Sequence, residues 1–217
     1  MLKDQSLLRR LTWERLRSLD ECGVSVVELG GKKDGGHARL FRDKGCHYLA
    51  LGFEGDLPFD LRTGKSRLED ASADVVLISM VAMYLNGETE TPEALSEAYR
   101  ILKPGGRLYL FEPFLYGDTP HGPIADRSRW SAEEMRDLLL RRGFETVTVQ
   151  KLGGVCGMLC AVLRDLLPGF LSPLRASFTV AGAVLDRSLD SVPYFRRRNA
   201  SYYLGHFSTA HKPAWKS

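Results

Sequence analysis

At 217 residues, with 44% hydrophobic and 26% charged residues, the chain has the composition of one globular domain that needs no covalent staples. A net charge of +3 is too small to argue for a nucleic-acid ligand, and four cysteines do not make a disulfide framework. Cys156 and Cys160 lie one helical turn apart in an apolar run, with no His or acid at ligand spacing. They read as small core residues, so no metal site is expected. The N-terminal MLKDQSLLRRLTWERLRSLDE is charged throughout and lacks the apolar core of a signal peptide, and no stretch is apolar for long enough to span a bilayer. The expected compartment is the reduced cytoplasm.

In chain order, residues 5–21 carry Leu7, Leu8, Leu11, Trp13, Leu16 and Leu19 among charged residues, the pattern of an amphipathic helix ahead of the main fold. Ser25–Leu29 reads as a buried strand followed by the glycine-rich loop Gly30–Gly36. A short helix over His37–Lys44 turns Leu40 and Phe41 inward, and a second strand covers Tyr48–Leu51. Leu57–Asp60 is a candidate short third strand, and Asp74–Ser79 is the clearest central one. In ALSEAYRILKPGGRLYLFEP, Leu95, Ala98, Ile101 and Leu102 recur at helical spacing. Pro104 stops that helix at Lys103, Gly105 and Gly106 are expected at positive φ to reverse the chain, and Leu108–Phe111 is the next strand. Trp130–Arg142 is a helix with Ser131 as N-cap, Glu134 completing a capping box and Gly143 ending it. The strand Phe144–Lys151, a mostly helical segment Gly153–Asn199 and a closing strand within Ser201–Lys212 follow. Strands alternating with helices in this way imply a doubly wound, mostly parallel sheet.

Between about Val24 and Pro213 this order resembles the class I S-adenosylmethionine-dependent methyltransferases. The likeness rests on VVELGG after the first strand, on LEDASADVVLIS, on ALSEAYRILKPGGRLYLFEP, and on RRGFETVTV with the closing YYLGHFSTAHKP. More narrowly, HGPIADRSRWSAEEMRDLL is similar to a segment of methyltransferases of glycan, cell-envelope or natural-product biosynthesis, with His121, Pro123, Asp126, Arg129 and Ser131 at the matching positions. The resemblance implies an α/β, Rossmann-like fold with a doubly wound, mostly parallel sheet, an antiparallel final strand and a helical insertion before it. Residues 1–217 then form one methyltransferase-like domain, with 1–22 an N-terminal helix and 153–199 a helical lid or insertion. The loop GGKKDGG lacks the G-x-G-x-x-G spacing of a nicotinamide-binding protein.

The resemblance also implies a site at the carboxyl ends of the strands. Gly30 and Gly31 would let backbone approach S-adenosylmethionine, and Glu28 would face its ammonium side. Where relatives place a ribose-binding acid after the second strand this chain has Gly52, and Glu54, two residues on, is the replacement. Asp60 and Asp70 are alternative adenine-side contacts, and Ser79 completes the cofactor set. Lys32 and Lys33 depart from the family pattern, as does the apolar SMVAMYL after the central strand, whose Met80 and Met83 read first as core filling. In the loop after LYLFEP, His121 is the expected general base, Asp126 its orienting group and Arg129 the holder of an acidic substrate group.

The expected activity is methyl transfer to a small molecule or sugar, at oxygen if His121 is the base. The alternatives are a catalytically inactive methyltransferase-fold subunit that binds a partner, and a cofactor-binding enzyme that does not methylate. Nucleic acid is not an expected partner, and a homodimer or partner subunit is compatible with the chain. For GGVCGMLCAVLRDLLPGFL, core or oligomer contact is the favoured reading and membrane association the minor one.

Overall fold

The computed structural model describes residues 6–115, 117 and 124–214. Six strands form one sheet: β1 (Ser25–Leu29), β2 (His47–Leu51), β3 (Ala73–Ser79), β4 (Leu102–Pro113), β5 (Glu145–Leu152) and β6 (Gly205–His211), in the spatial order β2-β1-β3-β4-β6-β5. The helices are α1 (Leu7–Ser18), α2 (Gly36–Asp43), α3 (Glu90–Ile101), α4 (Ala132–Arg141), α5 (Val155–Asp165), α6 (Ser172–Ser191) and α7 (Pro193–Asn199). Strand β1 pairs in parallel with β2 and β3, and β3 pairs in parallel with β4. The start of β4 meets the end of β6: Gly105 N–H donates to Lys212 O (3.0 Å) and Lys212 N–H to Gly106 O (2.9 Å). That pattern sets β6 antiparallel. The fold is therefore the Rossmann-like α/β sheet the sequence implied, with the helical segment 153–199 ahead of the last strand.

The residues group into two compact units. The larger comprises Leu19–Glu112, Asp118–Gln150 and Phe207–Ser217. Its core is built where Val27, Val76, Ile78, Leu108 and Leu110 of the strands meet Leu95, Ala98 and Ile101 of α3 and Met135, Leu138 and Leu139 of α4. Those positions follow period two in the strands and the helical period in α3 and α4.

Several local expectations change. Leu57–Asp60 is not a strand but a single parallel bridge from Leu57 to Leu51. The Pro-Gly-Gly segment is not a reversal: it lies inside β4 as an irregularity, with partners shifting between Ala73 and Val75, and only Gly105 has positive φ (80°). Ser131 caps α4 by accepting from Glu134 N–H at 3.1 Å, and Gly143 follows it at φ 87°, but the Glu134 carboxylate takes Arg141 at 2.8 Å where a capping box would turn it back.

The smaller unit comprises Met1–Ser18, Pro113–Gly117 and Lys151–His206. The N-cap of its helix α5 is Gly154, which offers no capping side chain. Two residues distant in sequence supply the acceptors. Asp186 of α6 accepts from Gly154 N–H (2.7 Å), Cys156 N–H (3.0 Å) and Gly157 N–H (3.0 Å), and Asn199 of α7 accepts from Val155 N–H (2.8 Å). Close helix packing there depends on glycine: a Cβ at Gly157 would meet the Asp186 carboxylate at 2.4 Å and Leu7 at 2.7 Å.

Candidate active site

In parallel strands the carboxyl ends share one edge, so Leu29, Leu51, Ser79 and Glu112 bring their following loops together in the larger unit. Three glycines meet there. Gly30 has φ 79°, and a Cβ on it would stand 2.5 Å from Val81 Cγ2. A Cβ on Gly31 would stand 2.8 Å from Glu28 Cγ, and one on Gly52 only 2.6 Å from Gly31 O. Gly30 N–H and Gly31 N–H both donate to Leu51 O, at 2.6 and 3.2 Å, so the glycine loop is laced onto the end of β2. This contact explains why position 52 is not the expected acid: any side chain there would collide with backbone.

Glu28 is almost fully buried (4% exposed) and its carboxylate is shared. One oxygen faces His37 Nδ1 at 2.8 Å and the other accepts the Tyr48 hydroxyl. Burial first, and then the Glu28 charge, push the Tyr48 hydroxyl far above its ordinary range, so it remains a hydrogen-bond donor. Glu54 is exposed and bridged by Lys32 Nζ at 2.9 Å, and Lys33 N–H donates to Glu54 O at 2.9 Å. Lys32 thus points to solvent, paired with Glu54.

Asp60 lies beside the same edge, where Phe59 N–H donates to Gly52 O at 3.3 Å. It caps a short 3-10 turn through Arg62 N–H and pairs with the Arg62 guanidinium at 2.6 Å, which holds its carboxyl below the usual range. Asp70 does not join this group. It precedes the amino end of β3, seven strand residues from Ser79 and thus about 20 Å away along the strand. There it is 78% exposed and bound to Arg100.

After β3 the chain turns sharply: Met80 has φ 55°, a left-handed conformation rare for a residue with a side chain. The next three N–H groups converge on Glu112, with Val81 (3.1 Å) and Ala82 (2.9 Å) on one oxygen and Met83 (3.1 Å) on the other. Glu112 is 2% exposed, and burial pushes its carboxyl up to about 7 against the pull of those donors and of Arg129. Glu112 matches no motif, although an acid closing the apolar run LYLF was a usable signal. Met83 is buried, as its core-filling reading required.

His121 and Pro123 lie outside the described residues. Asp126 and Arg129 are brought together as a bidentate pair, Arg129 Nη2 to Asp126 Oδ2 at 2.5 Å, with Arg129 Nη1 also donating to Ser128 O at 3.0 Å. Their segment is anchored through Arg127 N–H and Ser128 N–H, both on Met83 O, and through Ser128 Oγ on Leu85 O at 2.7 Å. Arg127 and Ser128 are therefore fastened to the same turn that Glu112 holds.

Residues 55–110 match the methyltransferase domain family. Among solved structures, an S-adenosylmethionine-dependent methyltransferase from Archaeoglobus fulgidus is 16% identical, with 95% of this chain and 93% of that one covered and a TM-score of 0.60. The Haloferax volcanii complex of the Trm112 methyltransferase activator with its methyltransferase is 18% identical, with coverage of 94% and 89% and a TM-score of 0.59. Burkholderia thailandensis 1,6-didemethyltoxoflavin-N1-methyltransferase, with 1,6-didemethyltoxoflavin and S-adenosylhomocysteine bound, is 14% identical, with coverage of 97% and 80% and a TM-score of 0.58. A search of curated proteins finds no match. Residues 55–110 thus carry a methyltransferase domain match, and the chain has the fold of S-adenosylmethionine-dependent methyltransferases.

Proposed function

We propose that the protein methylates a hydroxyl of a small molecule or sugar, with the cofactor held at the carboxyl edge of β1 and β2. The observation that carries this reading is the bare backbone of Gly30, Gly31 and Gly52 beside an exposed carboxylate, Glu54, at the edge where this fold class binds ligands. Those residues fit the cofactor: Glu54 is free of the backbone collision that bars an acid at position 52, and it exchanges Lys32 for the ribose hydroxyls. Asp60 serves the adenine side, and Glu28, already engaged by His37 and Tyr48, stiffens the first strand end beneath the glycine loop. When bound, the cofactor supplies an electrophilic methyl group.

The chain's own contribution is positioning and proton removal. His121 is the proposed base, five residues before Asp126 in sequence. Arg129, carried on the Asp126 carboxylate, presents a guanidinium for an acidic substrate group. Titration calorimetry of the full chain with S-adenosylmethionine and S-adenosylhomocysteine tests the cofactor site. Glu54→Ala is expected to weaken both by about tenfold to a hundredfold, the worth of a hydrogen bond to a charged group. Its thermal stability should stay near that of the wild type, because the Lys32–Glu54 pair is exposed. Unchanged affinity would remove Glu54 from the cofactor set.

For the base, His121→Ala is expected to slow turnover about a hundredfold or more while cofactor affinity is kept. A second reading, a subunit that holds cofactor only with a partner, draws on the Lys32–Glu54 bridge and the glycine at position 52. Absence of binding by the isolated chain at millimolar ligand, reversed when a partner is added, would favour it.

A further inference from the structure

The smaller unit exposes an apolar stripe that the methyl-transfer site leaves unused. Leu159, Val162 and Leu163 of α5 and Leu166, its C-cap, recur at spacings of three, four and seven, the spacing of one helix face, and each is between 47% and 75% exposed. Phe170, just beyond the helix, is 82% exposed. The opposite face of α5 is the packed one, where Gly157 lies against Asp186 and Leu7. The only charges on the helix are Arg164, which is buried, and Asp165, which Arg164 neutralises at 2.5 Å. Exposed contiguous apolar surface of this kind marks an interaction site.

At one end of the stripe stands α7. Asn199 ties its C-terminus to the first turn of α5 through Val155 N–H, so Arg196, Arg197 and Arg198 precede that contact at the amino-terminal end of α5, and Phe170 follows the helix's other end. All three arginines are exposed, as are Tyr194 (69%) and Phe195. Arg198 lies over the Tyr194 ring at 5.8 Å. An aromatic body with a cationic neighbour suits the boundary between headgroups and acyl chains.

Charge selects the occupant. The smaller unit carries twelve Lys and Arg against five Asp and Glu, a net +7, whereas the larger carries eighteen against twenty-two, a net −4; together these give the +3 of the chain. A second copy seated on the same stripe would bring two +7 surfaces together, which is repulsive. A negatively charged surface with an apolar interior satisfies both features. Among the described residues no helix is long and apolar enough to cross a membrane, so the unit would lie on the surface.

We infer that the stripe Leu159–Phe170, with the arginines of α7, docks the protein on an anionic phospholipid bilayer. The inference is independent of the methyl acceptor. Flotation of the full chain with phosphatidylcholine vesicles, with and without phosphatidylglycerol, tests it. Binding is expected only to the anionic vesicles and should weaken as salt rises. The triple variant Arg196→Gln, Arg197→Gln, Arg198→Gln should bind about a hundredfold more weakly, from roughly fivefold for each cation near the surface. Leu166→Ser combined with Phe170→Ser should also release the protein, with an unchanged melting profile because both side chains are exposed. Leu140→Ser, at a comparably exposed apolar position on α4, should bind as the wild type does. Absence of flotation with anionic vesicles overturns the proposal, and so does equal flotation of the Leu166/Phe170 variant. A dimer in sedimentation equilibrium that Leu166→Ser disperses would assign the stripe to a second copy and also overturns it.

Discussion

Glu112→Ala is expected to destabilise the protein by about 3 kcal/mol or more, because three backbone N–H groups lose their acceptor at once and each unsatisfied donor costs about 1–3 kcal/mol. For a chain of this size that lowers Tm by about 6–12 °C. The loss should be local in origin, since Val81, Ala82 and Met83 form the turn on which residues 127 and 128 also hang. A pH arm separates the acid from its hydrogen bonds. Folding raises the Glu112 carboxyl from 4.5 to about 7, so between those values the folded state binds the proton and the unfolded state does not. Stability then falls as pH rises through that window, by an amount on the order of 3 kcal/mol, and is flat above it. Urea unfolding between pH 5 and 8 should show this slope in the wild type and lose it in Glu112→Gln, which keeps an acceptor but no titratable proton. An identical slope in both proteins would mean that Glu112 does not titrate there.

Gly52→Asp, which supplies the acid that the resemblance leads one to expect at this position, is expected to damage the protein rather than improve it. The new Cβ would lie 2.6 Å from Gly31 O and 3.2 Å from Gly30 C, and both neighbours are backbone that cannot rotate away. Either the glycine loop detaches from Leu51 O, with loss of two hydrogen bonds, or β2 bends outward. Overpacking of this kind costs about 1–3 kcal/mol, and a buried unpaired carboxylate adds to it. Gly52→Ala isolates the steric part. Both variants should melt several degrees lower, and both should lose cofactor affinity in calorimetry although neither removes a cofactor-binding side chain. Wild-type stability with tighter binding in Gly52→Asp would show that the loop yields readily and that Glu54 is not the replacement acid.

The fold was legible because its signals are local. The short apolar runs around Val27, Val76 and Leu108, the helical spacing of Leu95, Ala98 and Ile101, and the Ser131 cap each report a short-range preference that the sheet then satisfies. Lys103–Gly106 misled for the same reason. Proline and paired glycines usually reverse a chain, but pairing with Lys212, more than a hundred residues away, keeps them extended in β4. At the site, the glycines and Glu54 could be found by pattern, whereas the reason for Gly52 could not, since it lies in contact with Gly31 O. Asp60 and Asp70 look alike in sequence and were separated only by the direction of β3. Tyr48 and His37 carry no motif. Their pairing with Glu28 exists because β2 and α2 converge on one buried carboxylate.

The way α5 is capped has a consequence for folding order. A helix that supplies its own N-cap can flicker into existence before the rest of its domain, but α5 starts on a glycine and borrows every acceptor from α6 and α7. Its first turn therefore has no independent stability, and the three helices must assemble in one concerted event. The amides of residues 154–157 become reporters of that event: their hydrogen exchange should match the exchange of α6 in both rate and denaturant dependence. Any loosening of α7 would be read at the opposite end of the sequence block, in the opening turn of α5.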